Sequence, residues 1–173
     1  MVMKKYSRIF LDRTRIIPHS FDPGAYPQEI KKDPVFTLSY IGAFYKERGP
    51  EFLFKMVSRL IVEEHVSVKL QIVGALNQYA RYSQKDLDAM IEKFHLSSVV
   101  EMVPVVSYER SLAYMKASHC LLVLDADMDT VPFLPSKLIE YAGSQTPIIG
   151  ITPPQSPTAH FLQSAGFPYF SYG

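Results

Sequence analysis

A glutamate near the start of an expected helix is well placed for binding chemistry. Glu140 lies in the segment Pro132–Tyr141, about one turn after the expected helix start at Pro135 or Ser136. The free N–H groups of a helix start can hold a phosphate. A carboxylate about one turn into the helix can accept two hydroxyl hydrogens at once, as from a vicinal diol. Glu140 could equally do no more than complement the helix dipole, and the segment alone leaves both interpretations open.

A second group of residues suited to anion binding lies in the loop Gly42–Gly49. Glycine lets backbone N–H groups come close to a ligand. Lys46 and Arg48 supply positive charge that can pair with phosphate oxygens. Pro50 follows directly and is compatible with the first turn of a helix. An ordinary strand–helix loop with solvated charges would have the same composition, so the loop alone does not decide between the two.

Three aspartates at alternate positions, Asp125, Asp127 and Asp129, raise the question of a metal site. A calcium-binding loop would need glycine at its sixth position and glutamate at its twelfth, where this chain has Thr130 and Ser136. Metal-dependent transferases of another fold also place spaced aspartates after a strand, but the order of elements argues against that fold. We therefore expect solvated or capping carboxylates and no metal cofactor.

The elements that must position these residues alternate along the chain. Short apolar runs, typical of strands covered on both faces, are separated by amphipathic helical segments. This order predicts an α/β fold: a doubly wound, Rossmann-like parallel sheet of about six strands with helices on both faces. Ligands of such sheets bind beyond the carboxyl ends of the strands, where both segments above fall. The strand-like runs are Phe36–Ile41, Val68–Val73, Val99–Val103, Cys120–Leu124 and Pro147–Ile151, with a sixth close to the C-terminus.

Helix starts are predicted from capping residues and prolines. Ser107 is expected to cap one helix, Pro135 or Ser136 to open the next, and Ser156 to cap the last before Pro157. The helix after Pro50 shows apolar residues at the 3.6-residue period. Its expected buried face consists of Phe52, Leu53, Met56, Val57, Leu60 and Ile61.

Composition bounds the class of protein. The chain has 173 residues, 47% hydrophobic and 20% charged, which suits one globular domain. A net charge of +1 argues against a nucleic-acid partner bound through a broad basic patch. The single cysteine, Cys120, allows no internal disulfide and is expected to be buried in a strand. Without a spanning apolar segment or a signal peptide, we expect a cytoplasmic protein.

The chain divides into two parts by composition. Residues 1–34 are basic and weakly periodic, and we expect a lead-in or inter-domain linker there. Residues 35–173 form the predicted domain. Both ends look incomplete, so we expect a fragment of a longer protein that lacks a preceding domain and a final covering helix.

Four stretches resemble the C-terminal domain of GT-B-fold glycosyltransferases, in the large family of retaining, nucleotide-sugar-dependent enzymes often called group 1. The most specific match is the last one in the chain, and it most resembles the corresponding stretch of members that build polysaccharides. The resemblance extends over roughly residues 13–170 and implies one half of a GT-B fold. The stretches are Arg15–Asp22, Ser39–Gly49, Leu70–Gly74, and Pro135–Tyr141 followed by Thr146–Ile149.

The resemblance implies a role for each candidate residue. Glu140 would bind the ribose hydroxyls of a nucleotide, and Arg48 would hold its diphosphate with help from Lys46. The catalytic groups would lie mainly in the N-terminal domain. The remaining implied contacts are the backbone at Gly42 and Gly74, the helix start at Ser136 and Lys137 beside the phosphates, and Val105 and Val106 flanking the base.

Two residues depart from the pattern of the family. Ala43 stands where an arginine often follows the first glycine, so stabilisation of the diphosphate would depend more on Arg48 and Lys46. Pro132 stands eight residues before Glu140, where an acidic residue often contacts the donor sugar. This second departure puts the identity of the sugar and catalytic competence in question.

The resemblance implies a hexosyltransferase that moves a sugar from a nucleotide diphosphate donor, with UDP favoured, to a glycan or polysaccharide precursor. The expected partners are the donor and a glycan or lipid-linked acceptor held by the absent domain, with peripheral membrane association of the intact protein at the inner face. This chain alone is expected to be inactive in transfer. The alternatives are a GT-B protein that epimerises a nucleotide sugar, and a non-catalytic interaction module with a vestigial nucleotide crevice.

Overall fold

The protein folds around one six-stranded sheet in which every strand pair is parallel, as a computed structural model shows for residues 15, 17, 19–77, 80–128, 131 and 133–172. The strand order is β3-β2-β1-β4-β5-β6, so the chain reverses its direction of winding between β1 and β4. The predicted fold class is confirmed. The strands are β1 (Thr37–Ile41), β2 (Lys69–Val73), β3 (Val100–Val103), β4 (Cys120–Leu124), β5 (Ile148–Ile151) and β6 (Tyr169–Phe170).

Helices cover both faces of the sheet because the buried strands are apolar on both sides. In β4, Cys120, Leu122 and Leu124 belong to one apolar cluster, and Leu121 and Val123 belong to the other. This alternation follows from the two-residue period of a strand. Helices α1 (Glu51–Val62) and α2 (Gln84–Lys93) pack into the first cluster, and α3 (Tyr108–Ala117), α4 (Ser136–Gly143) and α5 (Pro157–Ser164) pack into the second.

The predicted helix starts agree with the structure. The Ser107 and Ser156 side chains accept hydrogen bonds from the main-chain N–H groups of Arg110 (3.3 Å) and Ala159 (2.9 Å). Pro135 directly precedes α4, and Pro50 directly precedes α1. Cys120 is buried in β4, as expected.

The predicted buried face of α1 was partly wrong. Leu53 and Val57 are fully buried as expected, but the third fully buried residue is Phe54. Its ring packs edge-on against Phe44, which comes from the loop after β1. Phe52 and its apolar neighbours on the expected stripe are only partly buried. Apolar residues are so dense in this helix that the period alone does not fix which of them faces the sheet.

A reciprocal cap starts α2 and gives a test of local stability. The Ser83 side chain accepts from the Asp86 N–H (3.2 Å), and the Asp86 carboxylate accepts from the Ser83 N–H (2.8 Å). We expect Ser83→Ala to lower the free energy of unfolding by about 1 kcal/mol, because it removes the cap acceptor. Urea denaturation measures this, with Ser83→Thr as the matched control that keeps a hydroxyl. Equal midpoints for the alanine variant and the wild type would contradict the prediction.

The segment before β1 packs against the domain through buried and charged side chains. Tyr26 is buried, and its hydroxyl donates to the main-chain oxygen of Glu140 in α4 (2.7 Å). Gly143 makes room for it, since a Cβ there would lie 2.5 Å from the Tyr26 hydroxyl oxygen. Further along, the Lys69 ammonium lies 2.9 Å from carboxylate oxygens of both Asp33 and Glu101. The boundary at residue 34 stays a prediction.

Candidate functional site

The change of winding direction between β1 and β4 opens a crevice at the carboxyl ends of these strands. In open parallel sheets, ligands bind at this kind of point. The loop after β1 leads into α1 on one face, and the loop after β4 leads into α4 on the other face. The two segments that the sequence singled out therefore border the same crevice.

Gly42 and Lys137 come together across this crevice. Gly42 has φ +123°, a conformation that only glycine adopts readily. A Cβ at this residue would lie 2.8 Å from the Lys137 ammonium nitrogen. That nitrogen lies 4.1 Å from the centre of the Tyr40 ring, which is itself stacked on Phe44. The glycine thus makes room for a cation at the end of β1.

The charge state of Lys137 is sensitive to its surroundings. Burial of its ammonium lowers the pKa of Lys137 to about 7, and repulsion from Arg48 acts in the same direction. The carboxylates of Asp125 and Glu140 act in the opposite direction. The residue as a whole keeps some exposed surface, so the buried part is the ammonium end over Tyr40. A bound anion would raise the pKa and hold the lysine in its charged form.

Arg48 is held at the rim of the crevice by a tight turn. Its N–H donates to the Tyr45 main-chain oxygen (2.9 Å), and its guanidinium carbon lies 4.7 Å from the centre of the Tyr45 ring. None of the ion pairs found among the described residues includes Arg48. Arg48 and the exposed Lys46 line an open cavity of about 590 Å³. The predicted loop therefore presents two cations to open space.

Tyr141 fixes α4 against the end of β1. Its fully buried hydroxyl accepts from the Ile41 N–H (2.9 Å), although the two residues are 100 positions apart in sequence. This bond sets the position of the helix turn that carries Lys137 and Glu140. Sequence reasoning missed it, and the only signal was a tyrosine among the apolar positions of the helix.

Glu140 faces the start of α3. Burial raises the pKa of Tyr108, and the negative charge of the neighbouring Glu140 carboxylate acts in the same direction. Tyr108 is half exposed. Glu140 does not line the cavity beside Arg48. A ligand that touches both residues would have to extend past Gly42 and Lys137.

The remaining candidates also lie at the carboxyl ends of the strands. Gly74 ends β2 with φ +72° and donates its N–H to the Val103 oxygen (2.9 Å). After β3, Val105 is 61% exposed and Val106 is partly buried in the second apolar cluster. Ser136 is exposed at the first position of α4. No ligand contact tests these assignments, which stay predictions.

The interpretation of Asp125 as a solvated or capping carboxylate was wrong. Asp125 is completely buried, and its Oδ2 accepts a hydrogen bond from the Thr152 hydroxyl (2.6 Å). Asp127 is exposed, as expected. Asp129 and Pro132 lie outside the described residues. The predictions that Asp129 binds no metal and that Pro132 replaces an acidic contact to the donor sugar therefore stay predictions.

The part of the chain that the structure describes contains neither a metal-binding cluster nor a membrane-spanning helix. There, no three histidine, cysteine or acidic side chains are grouped closely enough to hold a metal ion. No helix within the same residues has the length and apolar character needed to cross a bilayer.

Comparison with solved structures identifies the fold. AviGT4, a glycosyltransferase involved in avilamycin A biosynthesis, superposes with a TM-score of 0.68 at 19% identity, over 94% of this chain and 45% of that protein. HepE from Anabaena, in complex with UDP-glucose, gives 0.67 at 16% identity, over 94% and 44%. The C-terminal domain of a group 1 glycosyl transferase, LpcC from Francisella tularensis, gives 0.58 at 13% identity, over 76% and 70%.

These comparisons confirm the resemblance to the C-terminal domain of GT-B glycosyltransferases at the level of the fold. The chain spans less than half the length of AviGT4 and HepE. No protein-family model matches the sequence, and a search of curated proteins gives no significant match.

Proposed function

We propose that this chain is the donor-binding domain of a glycosyltransferase that moves a sugar from a UDP-sugar to a glycan or polysaccharide precursor. The observation that carries the proposal is the Lys137 ammonium held over Gly42 at the start of α4, near enough to Arg48 for the two cations to repel each other. The known complex of HepE with UDP-glucose, in a similar fold, supports the choice of donor. Transfer is proposed for the intact protein, and donor binding for this chain.

The proposed chemistry depends on positioning and charge. When a nucleotide sugar reacts, negative charge develops on the departing diphosphate. Cations and helix N–H groups that are already in place stabilise that charge without reorganising. Lys137, Arg48 and the first turn of α4 supply these groups in our proposal, and no metal ion is assigned a part.

The nucleoside is proposed to lie on the α3 side of the crevice. Glu140 would accept hydrogen bonds from the ribose hydroxyls, with Tyr108 of α3 beside it. Val105, which is well exposed after β3, offers an apolar contact to the base. The diphosphate then extends past Gly42 toward Arg48.

Titration with UDP tests the assignment of Glu140. We expect Glu140→Ala to weaken UDP binding by about 10- to 100-fold, because hydrogen bonds to a charged carboxylate contribute about 1.5–3 kcal/mol. Isothermal calorimetry measures the affinities. Glu92→Ala, which removes an exposed glutamate from α2, is the matched control and should leave UDP affinity unchanged.

The outcomes separate the proposal from its alternatives. Equal UDP affinity of Glu140→Ala and wild type would remove Glu140 from the ribose contact. If the wild-type chain does not bind UDP or a UDP-sugar at all, the crevice is vestigial and the interaction module becomes the better description. A nucleotide-sugar epimerase would bind UDP-sugar too, but it would convert it to an epimer without an acceptor, which product analysis detects.

A further inference from the structure

The buried carboxylate of Asp125 has one oxygen without a partner. Asp125 directly follows β4 and has no exposed surface. Its Oδ2 accepts from the Thr152 hydroxyl, which also shares a hydrogen bond with Ser156 (2.5 Å). Its Oδ1 is buried and accepts no hydrogen bond within the described structure. A carboxylate offers acceptor sites on both oxygens, so half of this buried group is left unused.

An unused acceptor of this kind costs folding free energy, because burial removes the water that would otherwise bind it. Thr152 and Ser156 hold the carboxylate in one orientation, and Ser156 is itself fixed as the cap of α5. The side chain is therefore anchored on the Oδ2 side only. The arrangement fits a carboxylate that receives a second donor from a bound molecule.

The location of Asp125 indicates which part of a ligand it would meet. The negative charge of Asp125 acts to raise the pKa of Lys137 and so favours the protonated lysine. A diphosphate beside Lys137 and Arg48 cannot be the partner of Asp125, because both are anions. A neighbouring group that carries hydroxyl donors can be, and in a UDP-sugar the sugar is attached directly to the diphosphate.

Tyr172 lies against the main chain of Asp125 and borders open space. Its hydroxyl donates to the main-chain oxygen of Asp125 (2.6 Å), and its ring lies edge-on to Phe52. Tyr172 lines both the cavity beside Arg48 and a second open cavity of about 620 Å³ next to it. A sugar that extends from the diphosphate toward the second cavity would pass Tyr172 and the end of β4 that carries Asp125.

We infer that Asp125 accepts a hydrogen bond from a hydroxyl of the donor's sugar and thereby makes the site prefer a nucleotide sugar over the bare nucleotide. This inference rests on the proposed function, since it assumes that the crevice holds a UDP-sugar. The exposed aspartate two positions later, Asp127, lines both cavities and is the competing candidate for this role.

The test compares UDP with UDP-glucose on the full chain and on Asp125→Asn. Asparagine keeps an oxygen for Thr152 but removes the charge. Loss of the Asp125 charge beside Lys137 should weaken UDP and UDP-glucose alike, so the inference is tested by the difference. We expect UDP-glucose affinity to fall by about tenfold or more beyond the fall in UDP affinity, as a charged hydrogen bond warrants. Asp88→Asn, which changes an exposed aspartate of α2, is the matched control and should change neither affinity. If Asp125→Asn weakens both ligands equally, or if Asp127→Asn produces the selective loss, the inference is overturned.

A ligand series on the wild-type chain keeps the inference testable if the variant does not fold. UDP-glucose analogues that each lack one sugar hydroxyl are titrated, and we expect one of them to bind about tenfold more weakly than UDP-glucose. Equal binding of all analogues overturns the inference while leaving the proposed function intact. Failure of wild type to bind UDP at all overturns the proposed function itself, so the two failures are distinguishable.

Discussion

Replacing Lys137 with methionine is expected to make the domain more stable and a poorer binder of diphosphate. The pKa of Lys137 is lowered from 10.5 to about 7, which corresponds to at most about 5 kcal/mol of unfavourable free energy in the charged form. The residue keeps some exposed surface, so we expect a gain of about 1–3 kcal/mol in the free energy of unfolding near pH 6. UDP affinity should fall by about 10- to 100-fold at pH 7.

The gain in stability should depend on pH. Below pH 7 the lysine is charged in both the folded and the unfolded chain, and its full cost is present. Between about pH 7 and 10.5 the unfolded chain binds the extra proton, so the stability of the wild type rises with pH. The advantage of the methionine variant should therefore shrink across this range. Urea denaturation at several pH values measures it.

Binding should show the opposite dependence. Above pH 7 the free protein must take up a proton at Lys137 to bind a diphosphate, so wild-type affinity should fall as pH rises. Burial raises the pKa of both Tyr40 and Tyr141, so neither of these neighbours titrates there. Calorimetry in two buffers of different ionisation enthalpy detects the proton. If Lys137→Met binds UDP with the same affinity and the same proton uptake as the wild type, Lys137 takes no part in binding.

Replacing Gly42 with alanine is expected to damage both the fold and the site. At φ +123° an alanine is strained, with a cost of about 1–3 kcal/mol. The new Cβ would also lie 2.8 Å from the Lys137 ammonium nitrogen and displace it. We expect a lower melting temperature together with at least a tenfold loss of UDP affinity, the size of a lost charged hydrogen bond.

Gly166→Ala separates strain from displacement. Gly166 also has a positive φ, +75°, but a Cβ there would meet no atom of the described residues within 4 Å. It lies between α5 and β6, at the amino ends of the strands, whereas the crevice lies at their carboxyl ends. This variant should lose stability and keep its UDP affinity. If Gly42→Ala also keeps its affinity, the position of Lys137 over the glycine is not needed for binding.

The fold was predictable because its determinants are local. The apolar run at β4 and the caps at Ser107 and Ser156 each depend on a few adjacent residues, and the structure agrees with them. The two loops that border the crevice were also identified, because the end of a strand and the start of a helix can be read from the same local signals. Once the strand end and the helix start are predicted, the residues between them are known to lie in the loop.

The contacts within the site were not predictable because they join distant parts of the chain. Whether Lys137 reaches Gly42 depends on the backbone of the glycine and on the Tyr40 ring beneath. An aspartate after a strand usually indicates a solvated loop. Asp125 is buried instead because Thr152 and Tyr172, 27 and 47 positions away, close over it. No short pattern in the sequence encodes such an arrangement.

The two outer strands have a consequence for self-association. An open sheet exposes unpaired backbone groups at its edges, and another chain can add a strand there. At one edge, β3 carries Glu101, whose carboxylate is bound by Lys69 and Gln71. At the other, β6 has two residues and offers too few hydrogen bonds to template a partner strand. A charged edge strand and a two-residue edge strand both discourage the addition of a strand from another copy of the chain.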